Sequence, residues 1–344
     1  MTASLFLSLI FVLFSLVIDG SSFHVENCPI ESNGCSCGIL SSELSCTGAQ
    51  TGYSLKNTLT SIEPSKSVQI FSMYRTSIEE IRDYTFSQLK VTNEMRLFDN
   101  KELESIQPNA FYGSELTIKR LDLHNCSLSG SSLFQAISKL VNLEELNLGQ
   151  NKILDVPYYA FGQQDRLKSI NLANNRIQVI GESAFRQLTH LSFLRLEHNE
   201  ITSLDEDSFA INKPATANLV GQPSHATIKR IPSSDVIDVN MKFNQVSFVH
   251  ENAFRSLGRP IRLNLDGNDL REYKKRAFDQ VMTFEQSQIS FRLNKNIACD
   301  DCDLLRVIQN QTYMHKLKHL RCADKSNRYL WYLTAADFPS SCQV

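Results

Sequence analysis

Residues 146–204, LNLGQNKILDVPYYAFGQQDRLKSINLANNRIQVIGESAFRQLTHLSFLRLEHNEITSL, contain one unit three times over. Each unit reads Leu-x-Leu or Ile-x-Leu and reaches an asparagine three residues later: Asn151, Asn175 and Asn199, spaced 24 residues apart. Ten residues beyond each asparagine stands a phenylalanine: Phe161, Phe185 and Phe209. Self-similarity at a fixed period of this length is the signature of a solenoid, in which each coil is one supersecondary unit.

In Leu194-Arg195-Leu196-Glu197, alternation turns the leucines to one face of a short strand and Arg195 and Glu197 to the other. Asn199 then turns the chain, its amide able to satisfy backbone groups of its own coil and the next. Ile201, Leu204 and Phe209 fill the returning side. One coil cannot bury its own apolar face, so coils must stack and the ends need caps.

Outward from this stretch the unit persists. Its turning position, the ladder, is taken by Thr76, Asn100, Cys126, Asn151, Asn175, Asn199, Asn244, Asn268 and Asn296. About eight coils over residues 67–296 are expected. The step from Asn199 to Asn244 is 45 residues, 21 more than one repeat. The excess carries Pro214, Gly221, Pro223 and Pro232. It reads as an inserted loop near 210–234 in preference to a degenerate coil, because these are turn-forming residues.

Residues 1–22 hold an apolar run, Leu5 to Ile18, followed by Gly20-Ser21-Ser22. The run is short for a membrane span and suits a secretory signal, so the mature chain is expected to be secreted, extracellular and without a membrane anchor. With 35 basic and 37 acidic residues, the balance argues against nucleic acid as a partner. Of nine cysteines, four lie within residues 23–66 (Cys28, Cys35, Cys37, Cys46) and four within residues 297–344 (Cys299, Cys302, Cys322, Cys342). Even-numbered clusters bracketing an array in a secreted chain read as disulfide-stapled caps, and spacing alone leaves three connectivities in each. Cys126 stands in the ladder, where a buried small side chain is preferred to a redox role.

No phosphate loop, nucleophile elbow, HExxH or calcium-loop pattern is present. No cofactor is expected. The acidic triplet Asp205-Glu206-Asp207 and the basic run Lys316, Lys318, Arg321, Lys325 and Arg328 read as solvated surface. Two glycosylation sequons occur, at Asn310 in the C-terminal cap and at Asn125 beside the ladder. The outward strand positions then form one concave face. They are Tyr74, Arg96, Phe98, Asp122, His124, Asn147, Asn171, Phe193, Arg195, Glu197, Asn240, Lys242, Asn264, Arg292 and Asn294.

The repeat unit, with the pairs Ala110-Phe111, Ala160-Phe161, Ala184-Phe185, Ala253-Phe254 and Ala277-Phe278, resembles secreted extracellular leucine-rich-repeat proteins over nearly all the mature chain. Within them it looks most like the arthropod group named for the non-catalytic subunit of oplophorus-luciferin monooxygenase. That likeness rests on Cys28-Pro29, Cys35-Ser36-Cys37 and Cys302-Asp303-Leu304-Leu305. The resemblance implies an α/β solenoid, a leucine-rich-repeat horseshoe with short parallel strands on the concave face and disulfide caps at both ends. It also implies the pairings Cys28–Cys37, Cys35–Cys46, Cys299–Cys322 and Cys302–Cys342. Two residues separate Cys299 from Cys302 where the family commonly has one, and Ile297-Ala298 stands where Pro-Trp is usual. The expected function is non-enzymatic binding of a protein partner, as a companion subunit of an extracellular complex. A structural component of extracellular matrix or cuticle is the alternative, and an enzyme comes third, for want of an acid–base or nucleophile set.

Overall fold

A computed structural model of the chain describes residues 34–37, 42–48, 67–213, 236–294, 297–298, 302–323 and 327–342, with single positions at 55, 57 and 59. Twelve strands form one sheet whose spatial order is the chain order. They are β1 (Cys35–Cys37), β2 (Glu43–Thr47), β3 (Ser67–Tyr74), β4 (Lys90–Arg96), β5 (Arg120–Asp122), β6 (Glu145–Asn147), β7 (Ser169–Asn171), β8 (Phe193–Arg195), β9 (Ile237–Asn240), β10 (Ile261–Asn264), β11 (Gln288–Ser290) and β12 (Leu317–Lys318). β1 and β2 are antiparallel and every later neighbour is parallel. On the returning side the chain runs through turns and two-residue parallel pairs such as Asp155–Val156 with Val179–Ile180.

Among the described residues the longer helices are few. Ser132-Leu-Phe-Gln-Ala-Ile-Ser138, with Leu133, Phe134, Ala136 and Ile137 buried, forms α1 in the coil of Cys126, which has no phenylalanine ten or eleven residues past the ladder. Lys275–Thr283 forms α2, and Cys302–Gln309 and Gln311–Met314 form α3 and α4 in the C-terminal cap.

The leucines of each strand point inward and the phenylalanines stack behind them. Phe161, Phe185, Phe209 and Phe254 follow one another with ring centroids 5.8, 6.0 and 5.3 Å apart. Phe134 of α1 meets Phe161 edge-on at 5.7 Å, so the helix fills the missing place in the spine.

The ladder explains the asparagines. The Asn175 side chain donates to the carbonyls of Leu148, at 2.9 Å, and Leu172, at 3.0 Å, while its oxygen accepts from the Ile153 N–H at 3.1 Å. Asn151, Asn199, Asn244 and Asn268 repeat the pattern. The amide therefore ties its own coil to the preceding one, and not to the next as the sequence suggests. Asn100 takes the same role toward Thr76 and Met73. Cys126 keeps half of it, its thiol donating to the Leu97 carbonyl at 3.2 Å.

The residue before each ladder position takes a left-handed backbone: Arg75, Asp99, Asn125, Gln150, Asn174, His198 and Phe243, with φ from 53° to 59°, and Gly267 at 72°. Asn296 lies outside the described residues. The pairing of Asn264 with Ser290, carried forward through the Gly267 N–H to the Arg292 carbonyl, sets Asn294 opposite Asn268. Asn294, placed by the sequence on the concave strand, thus sits at the turn, exposed, donating to the Gly267 carbonyl and Asp269.

β8 pairs directly with β9, and Asn244 bonds the Leu196 carbonyl, so the coils of Asn199 and Asn244 stack with no strand between them. Ala210 and Ile211, assigned to the excursion by the sequence, are buried in the coil of Asn199. Most of the excursion, residues 214–234, lies outside the described residues.

Disulfides join Cys35 to Cys46 and Cys302 to Cys342. Cys37 and Cys322 are also disulfide-bonded, whereas Cys28 and Cys299 fall outside the described residues. Cys126 is free and buried, and burial pushes its thiol up to about 12. Alkylation of the unreduced protein is expected to leave Cys126 unmodified until denaturant is added, since the thiolate is the nucleophile. Modification under native conditions would overturn its place in the ladder.

Candidate binding face

The outward strand positions fall into columns, one residue per coil. The column four residues before the ladder holds Asp122, Asn147, Asn171, Asn240 and Asn264. In each the side-chain oxygen accepts from the N–H two residues on, at 3.0 to 3.2 Å. These short polar residues thus cap the backbone where the strand ends. Asn171 also donates to Asn147 at 2.9 Å, across Gly149, where an added Cβ would lie 2.9 Å from the Asn171 nitrogen.

The N-terminal half is self-paired. Arg96 and Arg120 contact Glu94 at 2.7 and 3.3 Å, and Ser72 donates to Glu43. Burial pushes the Glu94 carboxyl up, but hydrogen bonds and charge from the two arginines outweigh it and hold it below the ordinary value. Tyr74, Phe98 and His124 stack in successive coils with centroids 5.2 Å apart, so Phe98 is half-buried between two rings. His124 also contacts Asp122 at 2.9 Å.

The C-terminal half is open. A cleft of about 700 Å³ lies over β7 to β12, lined by Phe193, Arg195, Asp238, Asn240, Lys242, Arg262, Asn264, Gln288, Ser290 and Lys318 among others. The sequence brings Phe193, Arg195, Asn240, Lys242 and Asn264 to this place. It misses Asp238, Arg262 and Gln288, which share the Phe193 column, and Ser290. Their signal is parity alone: Asp238, Arg262 and Ser290 stand two residues before Asn240, Asn264 and Arg292, and Gln288 two before Ser290. Lys318 was read as cap surface, and only the pairing of β11 with β12 shows that the sheet continues into the cap.

Several expectations are corrected. Glu197 is only 8% exposed, with one oxygen held by Arg195 at 3.0 Å and the other buried and unbonded. Asp207 of the acidic triplet is buried too, paired with Arg255 at 2.6 Å. In the basic run, Lys316 is buried and donates to the carbonyls of Met282 and Phe284, because the chain reverses there into β12. Arg321 lies over the Tyr329 ring and Arg328 pairs with Asp337, while Lys325 is outside the described residues. Asn125 donates to Asp99 at 2.6 Å from a half-buried turn, whereas Asn310 is exposed and caps α4. Arg292 is exposed beside His319.

Among the described residues no group of acidic, histidine or cysteine side chains is arranged to hold a metal, and no helix is long and apolar enough to cross a membrane.

Residues 165–211 match the family described as Leucine rich repeat, and residues 63–151 match the BspA type Leucine rich repeat region. No curated protein matches the chain. Among solved structures, a chain of the octameric complex of Latrophilin 3, Unc5D and FLRT2, whose leucine-rich-repeat component is FLRT2, is similar at 16% identity and a TM-score of 0.52, over 90% of this chain and 98% of that one. A chain of the Drosophila Toll–Spatzle complex is similar at 20% identity and a TM-score of 0.53, over 79% of this chain and 36% of that one. The fold is that of a leucine-rich-repeat protein, and the likeness to the luciferin monooxygenase subunit group finds no support among these matches.

Proposed function

We propose that this leucine-rich-repeat chain is a secreted, non-enzymatic binding protein that grips a protein partner in the C-terminal half of its concave face, as the companion subunit of an extracellular complex. The observation that carries the reading is the cleft over β7 to β12. It combines Phe193, 55% exposed, with Lys242 and Lys318, which have no ion pair among the described residues. Exposed aromatics are enriched where proteins dock, and unpaired cations beside them offer charge complementarity to an acidic partner. The FLRT2 and Toll complexes are assemblies of proteins of this fold with other proteins, which supports the reading without naming a partner.

The test is recovery of the tagged protein from the fluid into which it is secreted. Parent and Lys152→Glu, a change at an exposed site outside the concave columns, should retain a co-purifying protein at fixed stoichiometry. Phe193→Asp should lose it while keeping the same urea midpoint. Retention of the partner by Phe193→Asp would sink the reading.

A further inference from the structure

We propose that the cleft over β8 to β12 recognises an extended acidic segment of a protein partner, bracketed by apolar side chains and lying along the strands. This rests on the concave face being the binding face.

The floor of the cleft offers donors. The oxygens of Asn240 and Asn264 are committed to the N–H groups of Lys242 and Asp266, at 3.2 and 3.0 Å, which fixes each amide's orientation. Their NH2 groups, with no hydrogen-bond partner among the described residues, are what remains for a ligand. Arg262 is held by Asp238, at 2.9 Å, and Arg195 by Glu197, at 3.0 Å. Lys242 and Lys318 have no such partner, so an incoming anion displaces nothing to reach them. The surroundings reinforce this. His319 is pushed down by burial and then by the charges of Arg292 and Lys318, which outweigh Asp266. The ligand must therefore bring acceptors and negative charge.

An exposed ring stands at each end of the strands. Phe193 begins β8 at one edge of the sheet, opposite Asp238 of β9. Phe243 lies just past the other end of β9, also 55% exposed. Its backbone is left-handed, φ 56°, a conformation uncommon for a bulky residue. The ring is held against His198, centroids 4.8 Å apart, and over Gly267, where a Cβ would meet it at 2.6 Å. Phe243 is thus a fixed apolar surface. Five residues of β9 and its turn separate the register of Phe193 from Phe243, or about 16 Å at about 3.3 Å per residue. An extended segment of about five residues spans that distance. A sulfated polysaccharide would supply the charge but nothing for the two rings, so the pattern favours polypeptide.

The probe is a fluorescent synthetic peptide with a central run of Asp and Glu between leucines, titrated by anisotropy against the whole secreted protein. Three comparators are used: the peptide with Lys for the acids, the peptide with Ser for the leucines, and a heparin oligosaccharide as competitor. The acidic, leucine-flanked peptide should bind, and the Lys242→Glu, Lys318→Glu double variant should weaken it by about tenfold or more. Raising the salt should weaken it further. The Ser-flanked peptide should bind less well, and Phe243→Ser should narrow that difference. An unchanged urea midpoint certifies the fold of each variant. No binding, equal binding of the basic peptide, no loss in the double variant, or equal binding of both flanks with displacement by heparin would each overturn the proposal. If the peptides fail while Phe193→Asp still loses its native partner, only this inference falls. If Phe193→Asp keeps the partner, the binding-face reading falls instead.

Discussion

Phe185→Ala is expected to destabilise the array by about 4 kcal/mol, as burial loss and cavity formation at a fully enclosed phenylalanine typically cost 3–5. The ring is 0% exposed and sits between Phe161 and Phe209, at 5.8 and 6.0 Å. Coils touch only their neighbours, and the stacked rings on both sides cannot close over the void without moving their own strands. Phe193→Ala, only eight residues away, removes a ring that is 55% exposed and should stay within about 0.5 kcal/mol of neutral. Urea unfolding of both variants with disulfides intact separates the two. A comparable loss at Phe193 would mean that the inward and outward faces have been exchanged, and the concave columns would fall with them.

Asn175→Ala should cost about 3 kcal/mol, near the top of the range for stranding buried backbone groups. The amide serves the Ile153 N–H and the carbonyls of Leu148, Leu172 and Ala173. Asn175 is only 8% exposed, so these groups are left largely shielded from water once its side chain is gone. Asn171→Ala, four residues earlier, loses only its half-exposed bonds to Asn147 and the Ala173 N–H, and should cost about 1 kcal/mol. The same urea series reads both, and a larger loss at Asn171 would refute the ladder assignment.

The parts of the fold legible in the sequence were those fixed by period. Leu194 and Leu196 had to be inward if Asn199 turned the chain, and the 24-residue recurrence of Phe185 and Phe209 announced the spine. What escaped was set by neighbours in space. Glu197 occupies an outward position by parity, yet Arg195 folds onto it and leaves it buried. Lys316 looks like surface in a basic run, yet the chain reverses there and its ammonium caps the carbonyls at the end of α2. At the last coil, the distance from Asn268 to Asn294 departs from the period by two residues, and only strand register reveals it. In the cleft, Phe193 was visible as an unusual outward aromatic. The left-handed Phe243 was not, because nothing local in Lys242-Phe243-Asn244 demands an exposed ring.

Because strand order equals chain order, the hydrogen bonds of the sheet run along the long axis of the array. A pull applied between its ends loads those bonds in series, one strand after the next, and not all together in shear. Each regular coil that peels away frees 24 residues, or about 80 Å of extended chain. The Cys35–Cys46 and Cys302–Cys342 bonds hold the loops they close out of that extension. A chain anchored at one end and loaded at the other thus behaves as a compliant tether that lengthens in steps.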